Sequence, residues 1–221
     1  MVRSLPGTKH APRQRPRAAR AKAEPRVRLD NEERRTQLLA LGLEHFGGRA
    51  YDDVSIDAIA AAAGISKGLL YHYFPTKRAY YAATIRVAAT LCVACTETDE
   101  AMPPLLRLHA GLDGYLGYVR DHAKAYATLL RSGVGVDREI ARIVDETRAT
   151  FIARLIEGFE PGMLPSSPTT RLALRGWIGF AEAVSLGWTE ALAAGTPTAT
   201  QEQVSTLLAN ALLEILRAAA L

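Results

Sequence analysis

Nowhere in these 221 residues do apolar and polar side chains keep up an alternation with a period of two. From Asn31 onward apolar residues recur every three or four positions instead. That spacing builds helices with an inward face and leaves little from which to make a half-buried strand. Start and stop signals divide the pattern. Asp30 or Asn31 opens a first helix, with Glu32 and Glu33 in its first turn, where the helix dipole favours carboxylates. Leu38, Leu39, Leu41, Leu43 and Phe46 form its apolar stripe, and Gly47-Gly48 stops it. After the loop RAYDDV, Ser55 caps a second helix, although Ala58 stands where a capping box needs Glu or Gln. Ile56, Ile59, Ala60 and Ala63 mark its inner side, and Gly64 ends it. Ser66 caps a short third helix, KGLLYHYF, which Pro75 breaks. Thr76 then caps a fourth, from Lys77 to about Thr98.

Beyond Met102-Pro103-Pro104, helical patterns cover 104–122, 123–132, 137–160, 168–194 and 200–220, with Gly133-Val134-Gly135 and EPGMLPSSPT as breaks. The last two segments are apolar on more than one face, which suits burial in the body or against a second copy. The expected fold is all-α. No apolar run reaches the ~18 to 20 residues of a membrane span, and the basic N-terminus lacks the apolar segment of a signal peptide. A cytoplasmic protein with no membrane partner is the expectation.

Residues 1–30 carry nine Lys/Arg against Glu24 and Asp30, a net +7, which leaves −3 for the rest of a chain of net +4. The stretch is rich in Pro, Ala and Arg, so a disordered basic arm over 1–29 is expected. It reads as a solvated extension or as an arm that loosely holds phosphates. A transit peptide shares this composition. Cys92 and Cys95 form C-x-x-C within a helical pattern, without further ligands for zinc or a strand-to-helix turn for thiol exchange. They read as small packed residues on one helix face or as a redox-sensitive pair. No Ser-His-Asp order, metal cluster or phosphate-binding glycine loop is present, so no catalytic residue, metal or cofactor is assigned.

Two short helices joined by a glycine turn, the second bearing polar and aromatic residues, describe a helix-turn-helix over Ser55–Lys77. Ala60 is small where the helices cross, and Ile59, Ile65 and Leu70 set their angle. The stretch LGLEHFGGRAYDDVSIDAIAAAAGISKGLLYHYFPTKRAYYAAT, Leu41 to Thr84, resembles the TetR family of bacterial transcriptional regulators. The resemblance is tight over about a fifth of the chain and extends elsewhere only to length and helical layout.

It implies a three-helix DNA-binding head, residues 30–76, and a ligand-binding and dimerisation body, residues 77–221. The last two helices would form a four-helix bundle with a second subunit. Lys67, Gly68 and Leu69, behind the Ser66 cap, would face base edges: Lys67 as a donor to guanine, Gly68 allowing close approach, Leu69 against a thymine methyl. Tyr71 and Tyr73 match positions that contact phosphates. Lys77 and Ser55 would meet phosphates at helix starts. His72 stays open between solvent, a phosphate and the first helix. Residues 31–78 hold six Lys/Arg and six Asp/Glu, a formally neutral head, so the basic arm is expected to supply part of the nonspecific affinity.

In the body, Tyr115, Tyr118, His122, Trp177 and Phe180 are the candidate pocket residues, with Tyr126, Phe151, Phe159 and Trp188 as further aromatics. Few polar groups accompany them (His109, Asp113 and Glu182), which points to an apolar or aromatic inducer. Arg171 and Arg175 could instead pair with an acid. The expected partners are double-stranded operator DNA, a small-molecule inducer and a second copy of the chain. The expected function is a repressor released from a palindromic operator by its ligand. The alternative is an all-helical small-molecule-binding protein or enzyme with an incidental helix-turn-helix.

Overall fold

In the head, each helix begins at a side chain that closes its own first turn. The computed structural model of the protein describes residues 30–133, 137–159, 167–196 and 199–219; the arm expected over 1–29 lies outside them. Helix α1 (Asn31–Phe46) starts with a full capping box: the Glu33 amide donates to Asp30 Oδ1 at 2.7 Å and the Asp30 amide to Glu33 Oε2 at 3.0 Å. Ser55 accepts from the Ala58 amide to open α2 (Ile56–Ala62), and Ser66 accepts from Leu69 to open α3 (Lys67–Tyr73). Thr76 accepts from Ala79 to open α4 (Lys77–Ala94). Gly64 makes the α2–α3 turn at φ +67°, a conformation a side chain would strain. Leu38, Ile59, Leu70 and Tyr80 are fully buried between these helices, and the Tyr80 hydroxyl donates to the Leu38 carbonyl across α1.

The body follows with α5 (Pro104–Asp121), α6 (Ala123–Thr128), α7 (Arg138–Gly158), α8 (Pro168–Ala193) and α9 (Gln201–Ala219). Helices α8 and α9 run antiparallel. The Trp177 indole N–H donates to Leu208 O and that of Trp188 to Ala199 O, each at 3.0 Å, and Leu174, Leu208 and Leu212 are sealed between them. Helix α4 lies between the two parts, packed on α1 at one end and on α5 and α7 along its length. The described residues hold no strand, in keeping with the all-α expectation, and none of their helices is long and apolar enough to cross a membrane.

Two boundaries differ from the sequence expectation. Helix α4 stops at Ala94 rather than near Thr98, with Cys95 as its C-cap. There the chain turns against α5, so closely that a Cβ placed on Gly114 would stand 1.8 Å from the Cys95 carbonyl oxygen. The terminator is therefore tertiary. The segment expected as one helix over 123–132 is α6 followed by a π-helical turn, Leu129–Gly133.

Candidate functional site

Helix α3 has seven residues, and Leu70 alone among them is buried. Tyr71 and Tyr73 only lean on the core, and Lys67, Gly68, Leu69 and His72 are not needed to hold it. Leu69 is 40 % exposed, and nothing but the Ser66 hydroxyl, at 3.9 Å, stands near the space a Gly68 side chain would take. The Lys67 ammonium reaches back to α2 and pairs with Asp57 at 2.8 Å, which raises its pKa through that hydrogen bond. Tyr71 and Tyr73 are half-buried against the head core, and the Tyr73 hydroxyl donates to Asn31 Oδ1 at 3.1 Å. His72 is exposed and meets the Tyr73 ring edge-on, at 5.7 Å between centroids. Lys77 lies over the Tyr51 ring, 4.6 Å from its centroid, and donates to Asp52 O. The Ser55, Ser66 and Thr76 oxygens each accept a backbone amide, so the hydroxyl proton of each is left to donate. Lys67, Gly68, Leu69 and His72 thus lie together on the outer side of one short helix.

Asp57 was not anticipated, because it is ten residues from Lys67 and joins it only across the turn. Its carboxylate both steers the Lys67 ammonium and sets a negative charge on this face. Asp57→Ala is expected to leave thermal stability unchanged, since an exposed pair contributes little. It should tighten binding to nonspecific duplex DNA by roughly 3–10-fold at low salt, with a steeper salt dependence as Lys67 becomes available to phosphate. Unchanged titrations at two salt concentrations would exclude this role.

An ion pair ties the start of α4, next to the head, to the start of α7. Arg78, one residue past Lys77, holds Asp137 with two hydrogen bonds of 2.6 and 2.8 Å. Asp137 is also the N-cap of α7, accepting from the Glu139 and Ile140 amides. The guanidinium hydrogen bond first, and these amides with it, pull the carboxyl down to about 2. A lowered carboxylate pKa stabilises the fold above its ordinary value and loses that contribution as pH falls toward the folded value. Asp137→Asn keeps a capping oxygen but loses the charge. Its stability is expected to fall less than that of the wild type between pH 4 and about 2, read from urea melts.

A cavity of about 750 Å³ lies among α4, α5, α6, α7 and α8, and it reaches Leu43, Phe46 and Gly47 at the end of α1. Tyr115, Tyr118, His122 and Trp177 line it, as do Tyr126, Phe151 and Phe159. Phe180 does not: it is 37 % exposed on the outer face of α8, three residues and most of a turn from the buried Trp177. Trp188 packs under α9, away from the cavity. Of the three polar residues singled out in the sequence, Glu182 lines the cavity and His109 and Asp113 do not. Arg175 pairs with Asp145 at 3.0 Å.

The strongest polar feature of the cavity was missed. Arg148 forks onto Glu182, Nε to Oε1 at 2.9 Å and Nη2 to Oε2 at 2.7 Å, with both side chains less than one-fifth exposed. The partners are 34 residues apart, so no local spacing announces them. Cys92 also lines the cavity, its thiol pushed up to about 12 by burial, whereas Cys95 is exposed at the end of α4. The two cysteines therefore do not share one environment. Among the described residues no cluster of three His, Cys, Asp or Glu is placed to hold a metal ion.

Comparison with known proteins gives two family matches. Residues 38–84 match the bacterial regulatory proteins of the tetR family, and residues 104–213 match the tetracyclin repressor-like C-terminal domain. The transcriptional activator FasR of Mycolicibacterium smegmatis is 28 % identical over 52 % of this chain and 53 % of its own length. The transcriptional regulator AcuR of Cereibacter sphaeroides is 33 % identical over 43 % of each chain. The chain spans about half the length of the curated relatives it matches. A crystal structure of a regulator from Streptomyces coelicolor superposes with a TM-score of 0.76 at 29 % identity, covering 87 % of this chain and 84 % of that one.

Proposed function

The chain belongs to the TetR family of bacterial regulators, and on that premise we propose that it is a dimeric, ligand-responsive transcriptional regulator that leaves its operator when a small molecule fills the body. The observation that carries this reading is α3, whose outer residues the fold does not use. A capped helix start with Lys67, Gly68 and Leu69 on its free side suits the major groove, where base edges are read. Ser55, Ser66, Tyr71 and Lys77 are hydroxyl and ammonium donors for phosphates on and beside it, Tyr73 would become one by giving up its bond to Asn31 Oδ1, and His72 joins them at the rim. The head is taken as residues 30–76 and the body as 77–221, with α4 as the link.

Two heads must meet successive major grooves, which requires a second copy. The outer face of α8 supports one: Leu172 is 73 % exposed, Phe180 is exposed below it, and Gly176, Gly179 and Gly187 have open space where side chains would be. Glycines at this spacing let another helix approach closely. Leu172→Arg together with Gly176→Arg is expected to turn dimers into monomers in sedimentation without unfolding them, and to abolish operator binding.

The cavity suits an apolar or aromatic ligand. It touches α1, α4 and α7, so a ligand that prefers a different packing of these helices shifts the position of the heads. DNA and ligand then weaken each other reciprocally. The test is footprinting on DNA flanking the chain's own gene. A protected palindrome is the expected result, and an intact dimer with no footprint there would sink the proposal. Repression is the sign proposed. Because FasR is named an activator, a reporter assay with the gene deleted decides it: expression should rise.

A further inference from the structure

Resting on the ligand-binding role proposed above, one question is which polar chemistry the cavity accepts. The walls along α5 are apolar at Leu108 and Leu112, and Phe151 and Leu155 face them from α7. The cavity is lined from Pro104 to His122, the whole of α5, which at 1.5 Å per residue is ~27 Å. Its volume is modest for that length, so the space is elongated.

Partway along stands a compact polar group: the Tyr115 and Tyr126 hydroxyls, 2.6 Å apart, with the Arg148–Glu182 fork and Ser185. Its protons can be followed. Ser185 donates to the Ala181 carbonyl, so toward Tyr115 its oxygen accepts. Between the two tyrosines either hydroxyl can be the donor; in one of the two orders Tyr126 donates and Tyr115 accepts. This order leaves the Tyr126 oxygen with both acceptor sites free. Each Glu182 oxygen takes one hydrogen bond from Arg148 and keeps a further lone pair. The group is therefore rich in acceptors.

Its charge is balanced. Arg148 also holds Asp145, and Asp145 also holds Arg175, so two cations face two anions. A ligand carboxylate would meet Glu182 without a spare cation to offset it. At the end of the cavity where its lining is mostly exposed, Glu97, Glu100 and Glu157 stand with Arg107 and Arg154. Arg154 is held by Val93 O, Thr96 Oγ1 and Glu97, and Arg107 leans on Thr98 Oγ1. That rim is net acidic and repels a polyanionic head group.

We propose that the ligand is an uncharged, elongated apolar molecule carrying a hydrogen-bond donor, a hydroxyl or N–H, partway along its length, with Glu182 and Tyr126 as its acceptors. The test is displacement of the neutral fluorophore N-phenyl-1-naphthylamine from the full chain by ligands matched in length: a mid-chain secondary alcohol, the parent alkane, the fatty acid and its coenzyme A thioester. The alcohol should bind at least ~10-fold tighter than the acid and the thioester, the size expected from one hydrogen bond to a charged group. Tyr126→Phe should remove most of its advantage over the alkane, each affinity being referred to the fluorophore's own affinity for the variant, with circular dichroism confirming that the variant is folded. Glu182→Gln should relax the discrimination against the acid. Acid or thioester binding as tightly as the alcohol would overturn the assignment of polar chemistry alone. Failure of the fluorophore to enter the wild-type protein would overturn the ligand cavity, and this proposal with it, while leaving the footprint untouched.

Discussion

Gly114→Ala is expected to lower stability by about 2–3 kcal/mol, the range for overpacking a filled site. For a chain of this size that is a fall of roughly 5–10 °C in melting temperature. The added methyl would stand 1.8 Å from the Cys95 carbonyl oxygen and 3.0 Å from its carbon. Both groups are backbone, so no side chain can rotate aside. Relief requires α5 to move off the end of α4, which opens the cavity wall where Cys92, Leu112 and Tyr115 meet. Gly117→Ala is the control. It lies three residues along the same helix with open space around it, so it should be neutral or slightly stabilising. Equal melting temperatures for the two variants would show that the α4–α5 junction yields easily.

Gly68→Leu should do the reverse, sparing the fold and destroying operator binding. Glycine in a helix is unfavourable by up to about 1 kcal/mol relative to a good helix former. No core group blocks a side chain there, so the variant should melt at or slightly above the wild-type temperature. The same open space is where a base edge must come close if α3 enters the major groove. An isobutyl group in that gap is expected to weaken specific binding by at least ~100-fold, because it holds the donors of Lys67 and the helix start away from their partners. Gel-shift titration on the footprinted site measures it. Unimpaired binding would place another surface against DNA.

What sequence reading could reach follows from the range of each force. The caps at Asp30, Ser55, Ser66 and Thr76 act within one turn, and so do the breaks at Gly64 and Pro75; all were readable. Leu70 as an inward residue followed from helix spacing in an element anchored at both ends. The end of α4 was misplaced because its C-cap, Cys95, meets Gly114, nineteen residues away in the chain. Phe180 was put in the pocket because α8 is apolar around much of its circumference, and only neighbouring helices decide that Trp177 faces inward while Phe180 faces out. The Arg148–Glu182 fork and the Lys67–Asp57 pair join separate helices, where no periodicity reports them.

The position of α4 has a mechanical consequence. Its 18 residues make a rod of ~27 Å, wedged at Cys95 against α5 and carrying Lys77 and the Arg78 clasp at its other end. A tilt of ~6° about the wedge would displace the far end by ~3 Å over that length. In a symmetric pair the two displacements add, against a groove repeat of about 34 Å. In the proposed dimer, a lever of these proportions would turn a side-chain-sized change in the body into a misfit between two reading helices and DNA, with no need for either head to deform.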